Sequence, residues 1–273
     1  MIIDTHVHIG TMLGFDMKRE DVLYTMERYG VDFSLVSDIE AAECDHHRRP
    51  ISKSLQKPQN EILRDTLDFA REHPDRIGAV PWMKIGSELP DDEFRTLLRE
   101  NRSLIYAFKF HPYHSRRAPD DPALEPIYRL AAEYDLPIVS HTGGCEDARS
   151  IHLYNAAKAH PELNFVMVHM DLGTDHREAE DLLGLLPNLY GDTTWVSVES
   201  TLRSVRRCGS DKILFGSDSP VDGRDTYLCN RKGDRSLYQQ YFNEFQEMVS
   251  ADDYANIMYR NAARLFRITV KEE

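Results

Sequence analysis

Two histidines stand one residue apart in the run Asp4-Thr5-His6-Val7-His8. On an extended strand the side-chain period of two turns both to the same side, as two ligands of one cation require. Other apolar runs also end in ionisable residues. Ile138-Val139-Ser140 ends in His141, Phe165-Val166-Met167-Val168 in His169, and Ile213-Leu214-Phe215-Gly216-Ser217 in Asp218. A further run, Ile105-Tyr106-Ala107-Phe108-Lys109-Phe110, carries a lysine among aromatics and leads into His111. Each residue alone has a plain structural reading. A histidine closing a strand is commonly hydrogen-bonded structure, and Asp218 before Ser219-Pro220 suits a turn. Lys109 suits a side chain that runs out to solvent along its apolar stem. Taken together, four histidines and an aspartate at strand ends are costly to cluster without a cation. A divalent metal is the economical explanation.

The elements that must position these residues alternate regularly. Short apolar, β-rich runs recur at 1–7, 33–36, 77–82, 104–110, 137–140, 164–168, 188–191 and 212–215. Few alternate cleanly, which is the pattern of parallel strands covered on both faces. Amphipathic stretches lie between them, at 19–29, 61–71, 91–99, 123–133, 151–160, 177–186 and 198–207, with later helices at 237–248 and 252–266. In 123–133, Leu124, Ile127, Tyr128 and Ala131 share one face, and Glu125, Arg129 and Glu133 share the other. Eight strand–helix pairs predict an α/β (β/α)₈ TIM barrel, one domain over 1–273 with C-terminal helices, and put the chemistry at the C-terminal strand ends. An open doubly wound sheet would want a Gly-rich phosphate turn after an early strand, and none is present.

The 273 residues hold 33 Lys plus Arg against 46 Asp plus Glu, a net charge of −13, with 12 histidines. That balance argues against nucleic acid and anionic membrane as partners. No apolar run is long enough to span a bilayer. The cysteines, Cys44, Cys145, Cys208 and Cys229, are scattered like free thiols of a reducing compartment. The start, Met1-Ile2-Ile3-Asp4-Thr5-His6, lacks the pattern of a secretory leader. These features predict a cytoplasmic protein whose partner is a small-molecule substrate. Assembly into a homo-oligomer is left open.

The pieces Asp4-Thr5-His6-Val7-His8, Phe108-Lys109-Phe110-His111-Pro112, Val139-Ser140-His141-Thr142-Gly143, Val168-His169-Met170, Phe215-Gly216-Ser217-Asp218-Ser219-Pro220 and Asn261-Ala262-Ala263-Arg264-Leu265-Phe266 follow one another over nearly the whole chain. In that order they resemble the amidohydrolase superfamily, and within it the amidohydrolase-2 or aminocarboxymuconate-semialdehyde decarboxylase-like branch. The resemblance implies a metal held by His6, His8 and His141, with Asp218 as ligand and general base. It makes His169 either a second metal ligand or a catalytic histidine that polarises the substrate. It puts Lys109 where some members carry a carboxylated lysine bridging two metals. The metal expected is zinc, with manganese second, as one ion, or two if Lys109 is carboxylated. One departure stands out, because Met170 is followed by Asp171 where the branch usually has glycine. That carboxylate binds the substrate's polar group, orients His169, or does neither.

The first functional expectation is metal-dependent hydrolysis of a small amide, ester or lactone. A metal lowers the pKa of bound water from 15.7 to about 7, and Asp218 would take its proton. The second is non-oxidative decarboxylation of an aromatic or unsaturated acid, with Asp218 delivering a proton to carbon. A barrel keeping its metal only as structure fits a full ligand set poorly. A metal nuclease fits neither the net charge nor a lysine at 109. On the substrate side, Arg48 and Arg224 are candidate clamps for a carboxylate, and His111 and His114 are candidate pocket residues. His111 precedes Pro112 and suits a structural turn equally well. His73, His152, His160 and His176 read as surface or capping residues.

Overall fold

The computed structural model describes residues 1–269; the last four of the predicted domain, 270–273, lie outside the described residues. The strands are β1 Ile3–Met12, β2 Phe15–Met17, β3 Phe33–Asp38, β4 Ile77–Ala79, β5 Phe108–Phe110, β6 Ile138–Gly143, β7 Phe165–Leu172, β8 Leu189–Asp192 and β9 Ile213–Leu214. They form two sheets, ordered β2-β1-β3-β4 and β5-β6-β7-β8-β9, parallel throughout except for the β1–β2 hairpin.

The two sheets join at both edges. Beside β4 and β5, Tyr106 N donates to Ala79 O at 3.0 Å and Lys109 N to Pro81 O at 2.8 Å. Beside β9 and β1, Thr5 N donates to Phe215 O at 2.9 Å and His8 N to Ser219 O at 2.8 Å. Eight parallel strands therefore close into the predicted TIM barrel, with helices between them. No helix of the described residues is long and apolar enough to cross a membrane.

Local chemistry explains the boundaries. The helix Arg19–Tyr29 stops at Gly30, whose φ of 65° is the left-handed cap that glycine adopts without cost. The helix Asp92–Glu100 starts where the Asp91 carboxylate accepts from Phe94 N at 2.7 Å. Along β7, Phe165 and Met167 pack outward against the helices, and Val166 and Val168 pack inward. The inner cluster also takes Ile3, Leu35, Ala107, Val139 and Leu214 and is closed by Leu265 and Phe266 of the last helix, Asn261–Phe266.

Three elements differ from the sequence reading: the helix expected at 237–248 is split into Tyr238–Phe242 and Phe245–Met248, the one at 252–266 is interrupted by a π-helical turn at Asn256–Arg260, and the first strand is longer. The first strand continues five residues past 7, and Leu13 and Gly14, at φ 57° and 80°, turn the chain back into β2. Successive positive φ values are those of a tight hairpin turn whose twist matches its strands. The hairpin brings Phe15 and Met17 over the mouth of the barrel.

Candidate active site

His6 and His8 face inward together because the β1–β3 register slips between Asp4 and Val7, which puts Val7 and Ile9 outward instead. Their Nε2 atoms are 3.0 Å apart. Asp218 Oδ1 lies 3.2 Å from His6 Nε2 and 3.1 Å from His8 Nε2. His169, from β7, brings a ring nitrogen within 4.8 Å of ligand atoms of both His6 and Asp218. His141, from β6, sets its ring edge-on to His169 with centroids 4.6 Å apart. The structure thus brings together all five groups that the sequence placed at the strand ends.

Backbone carbonyls orient three of these imidazoles. A carbonyl can only accept, so His8 Nδ1–H donates to Ser37 O, His169 Nδ1–H to Thr194 O and His141 Nε2–H to Gly143 O, each at 3.3 Å. In a neutral ring the opposite nitrogen then carries the lone pair, the usual arrangement of a metal-binding histidine. The Nδ1 of His141 is buried with no hydrogen-bond partner among the described residues. Burial, and after it the Lys109 ammonium, push His6 well below the ordinary imidazole pKa. The same two causes bring His141 down to about 3. Burial and then His141 lower His169. Burial alone would raise Asp218, but its contacts with His6 and His8 outweigh that and hold the carboxyl well below its usual range. Imidazole nitrogens and a carboxylate oxygen meeting at about 3 Å fit a divalent cation.

Lys109 points into the barrel, fully buried, with Nζ 3.2 Å from His6 Nδ1. It does not reach solvent. It also lies 3.3 Å from His6 Nε2 and off the cavity wall, and burial brings its pKa down to about 7.

The cavity holds about 410 Å³ and opens at the C-terminal end of the barrel. Its floor is His6, His8, His141, His169 and Asp218, and its roof includes Phe15, Met17, Ile39 and Val221. One wall is a stack of aromatic rings. His111 stacks on Trp82 at 4.7 Å and 9° and on His141 at 4.1 Å and 14°. His111 therefore lines the cavity, with His114 beside it. His176, expected at the surface or a cap, holds the N-cap position of the helix Arg177–Leu183, where it is buried and donates from Nδ1 to Met170 O at 2.8 Å.

Three proposed substrate contacts are elsewhere. Asp171 accepts from Ser150 N at 2.8 Å and from the Ser150 hydroxyl at 2.6 Å, tying β7 to the start of the helix Ser150–Ala159. Arg48 is paired with Asp147, and its guanidinium lies 5.9 Å from the Tyr113 ring centroid. Arg224 stacks on Tyr24 at 4.1 Å and faces Asp21 at 3.6 Å. None of the three lines the cavity. Asp171 found two donors instead, and each arginine found a carboxylate and an aromatic face.

Several supporting residues escaped the sequence reading. Asp192 accepts from His169 N at 2.9 Å through Oδ1 and from the Thr194 hydroxyl at 2.7 Å through Oδ2. It closes β8 at the catalytic rim, so the rule that found the others would have found it too. Asp4 Oδ2 accepts from the hydroxyls of Ser217 and Tyr227, and Oδ1 accepts from His6 N at 3.1 Å. Burial raises its carboxyl to about 7. Gly216 has no room for a side chain: a Cβ there would lie 2.5 Å from Thr194 Oγ1 and 2.8 Å from Asp192 Oδ2.

A closed parallel barrel with histidines and an aspartate converging at its C-terminal rim defines a metal-dependent enzyme class. The chain belongs to the amidohydrolase family, whose sequence profile matches residues 3–268, and a divalent metal accords with that membership. No protein of curated function matches the chain. Among solved structures it is similar to 2,6-dihydroxybenzoate decarboxylase in complex with 2,6-dihydroxybenzoate, with a TM-score of 0.71, 16% identity, and 97% of this chain and 99% of that chain covered. The 2,6-dihydroxybenzoate decarboxylase from Rhizobium gives a TM-score of 0.70 at 16% identity, covering 98% of each chain. A D314N mutant of 5-carboxyvanillate decarboxylase from Novosphingobium aromaticivorans, with bound manganese, gives 0.72 at 13% identity, covering 98% of this chain and 97% of that one. At such identities the likeness is one of fold. It nevertheless overturns the preference for hydrolysis expected from the sequence, because these full-length relatives are decarboxylases.

Proposed function

We propose that the protein is a metal-dependent, non-oxidative decarboxylase of a planar aromatic or unsaturated acid bearing one carboxylate. The observation that carries this reading is the wall of stacked aromatic rings, Trp82–His111–His141, which ends beside His169 and the His6–His8–Asp218 cluster. A planar ring laid against that wall brings its carboxylate to the cluster. Among the described residues no lysine or arginine lines the cavity, so a second carboxylate finds no cation in the wall. Lys109, buried off the cavity wall, is read as an unmodified amine, which favours a single ion over a carboxylate-bridged pair.

His6, His8, His141 and Asp218 would hold the ion, with His169 beside them. When bound, a divalent ion supplies the positive field that grips an anionic substrate and draws electron density from it. A mixed imidazole–carboxylate set suits zinc and manganese, and manganese is the ion in one structural relative. Asp218, held as a carboxylate at rest, moves the proton after taking it up from solvent through the open mouth. It protonates the carbon bearing the carboxylate, the bond from that carbon to the carboxyl carbon breaks, its electron pair returns to the ring, and carbon dioxide leaves. His169, held by Thr194 O, keeps its Nε2 lone pair directed away from that carbonyl.

The test is release of carbon dioxide from hydroxylated benzoates by protein loaded with manganese or zinc, run beside esters, lactones and amides. Monocarboxylates should turn over well ahead of their dicarboxylate analogues, and Asp218→Asn should lose at least about 100-fold. Hydrolysis without carbon dioxide release would overturn the reading. Preference for a dicarboxylate would overturn only the one-carboxylate part.

A further inference from the structure

Trp195 lies three residues beyond the end of β8, half-buried, with a backbone φ of 57°. That left-handed conformation is uncommon and strained for a bulky residue and persists only where its surroundings enforce it. Here they do. Trp195 N donates to the Tyr238 hydroxyl at 3.1 Å, and the two rings meet edge to face with centroids 5.9 Å apart. Val196 N donates to Thr193 O at 3.0 Å, and the Tyr241 hydroxyl donates to Val196 O at 2.9 Å. The result is a fixed indole whose Nε1–H donates to Asp218 Oδ2 at 2.9 Å.

We propose that Trp195 is a positioning residue that fixes which oxygen of Asp218 faces the histidines. With Oδ2 held by the indole, Oδ1 is the oxygen left for His6 and His8, at 3.2 and 3.1 Å. The carboxylate cannot then turn both oxygens toward the cluster. Asp218 itself sits at φ 67° on a strained rim backbone, and the indole supplies a hydrogen-bond donor to the carboxylate. Trp195 does not line the cavity, so its effect reaches the reaction only through Asp218. The preceding residue, Thr194, accepts from His169 Nδ1 through its carbonyl. Two adjacent loop residues thus orient two groups of the site.

The proposal uses the reading of Asp218 as a ligand and proton carrier, and two separate measurements test it. The first is manganese affinity of the metal-free protein, read by equilibrium dialysis. Trp195→Phe keeps a ring and removes the N–H, and should weaken binding by about 10- to 100-fold, as loss of an outer hydrogen bond to a ligand does. Trp195→His restores a ring N–H and should recover part of that loss. Tyr238→Phe keeps the ring against the indole and removes only the hydroxyl that accepts from Trp195 N, and should shift affinity in the same direction by less. The second is steady-state kinetics at saturating manganese, where Trp195→Phe should lower kcat with KM nearly unchanged. Unchanged metal affinity in a folded Trp195→Phe protein overturns the proposal. So does equal weakening in the Phe and His variants, which would assign the effect to ring packing. If the protein decarboxylates nothing, the affinity measurement alone decides, and failure of the functional reading stays distinct from failure of this one.

Discussion

Lys109 Nζ lies 3.2 Å from Nδ1 of His6, inside the barrel and away from solvent. The amine is almost as close to His6 Nε2, at 3.3 Å, so it stands at the edge of the cluster while staying off the cavity wall, and buried there it is read as an unmodified amine. Metal analysis should give one ion per chain, both in the native protein and in Lys109→Met. Labelled bicarbonate should leave no carbamate resonance in the spectrum. Two ions in the native protein, with one lost on substitution, would restore the bridging role.

Gly216→Ala should damage the site without touching a ligand. The added Cβ would meet Thr194 Oγ1, Asp192 Oδ2 and, at 3.2 Å, His6 Cβ. Overpacking of this kind costs about 1–3 kcal/mol. We expect a lower Tm and weaker metal binding together. A variant with native Tm and native metal affinity would show that the rim yields more readily than these contacts imply.

Asp171→Ala separates structure from substrate contact. Both carboxylate oxygens accept from Ser150, so the variant leaves a buried N–H and hydroxyl unpaired and should lose about 1–3 kcal/mol of stability. KM of the folded fraction should stay within about twofold of native, since the carboxylate does not line the cavity. A large rise in KM with unchanged stability would return Asp171 to the substrate.

Acid should destabilise the metal-free protein through His114. Burial depresses its pKa to about 4, against the partial support of its hydrogen bond to Cys44 O. The folded form holds the ring neutral, while the unfolded chain takes up a proton below about 6.5. Stability is therefore full above pH 6.5 and falls as pH drops toward 4, by up to about 3 kcal/mol from this residue. Urea titrations from pH 7 to 4 should show a shallower loss for His114→Gln than for the native chain. Equal slopes would remove His114 from the acid response.

Much of the fold was legible because each signal is local. Gly30 ends a helix by its own conformational freedom, and apolar runs of strand length announce the eight barrel strands. The metal cluster was legible through the period-two pair His6 and His8 and through the polar residues closing later strands. What stayed hidden depends on distant partners. Asp147, which takes Arg48, is 99 residues away, and nothing around Arg48 announces it. Asp171 looked chemical beside His169, yet Ser150, from another strand–helix unit, occupies both oxygens. Trp195 meets Asp218 only through a left-handed turn that no residue type near it requires.

The join between the first and last barrel strands also bears on biosynthesis. Thr5 and Phe215, 210 residues apart, share a hydrogen bond from the Thr5 hydroxyl as well as one from its amide. On a ribosome, His6 emerges early and waits for Asp218 until most of the chain has been made. The metal can be captured in full only as the ring is sealed. Capture then acts as a clasp, stabilising the sealed form by RT ln(1 + [M]/Kd). Metal-starved cells should accumulate chains whose first strand detaches and exposes itself to proteases.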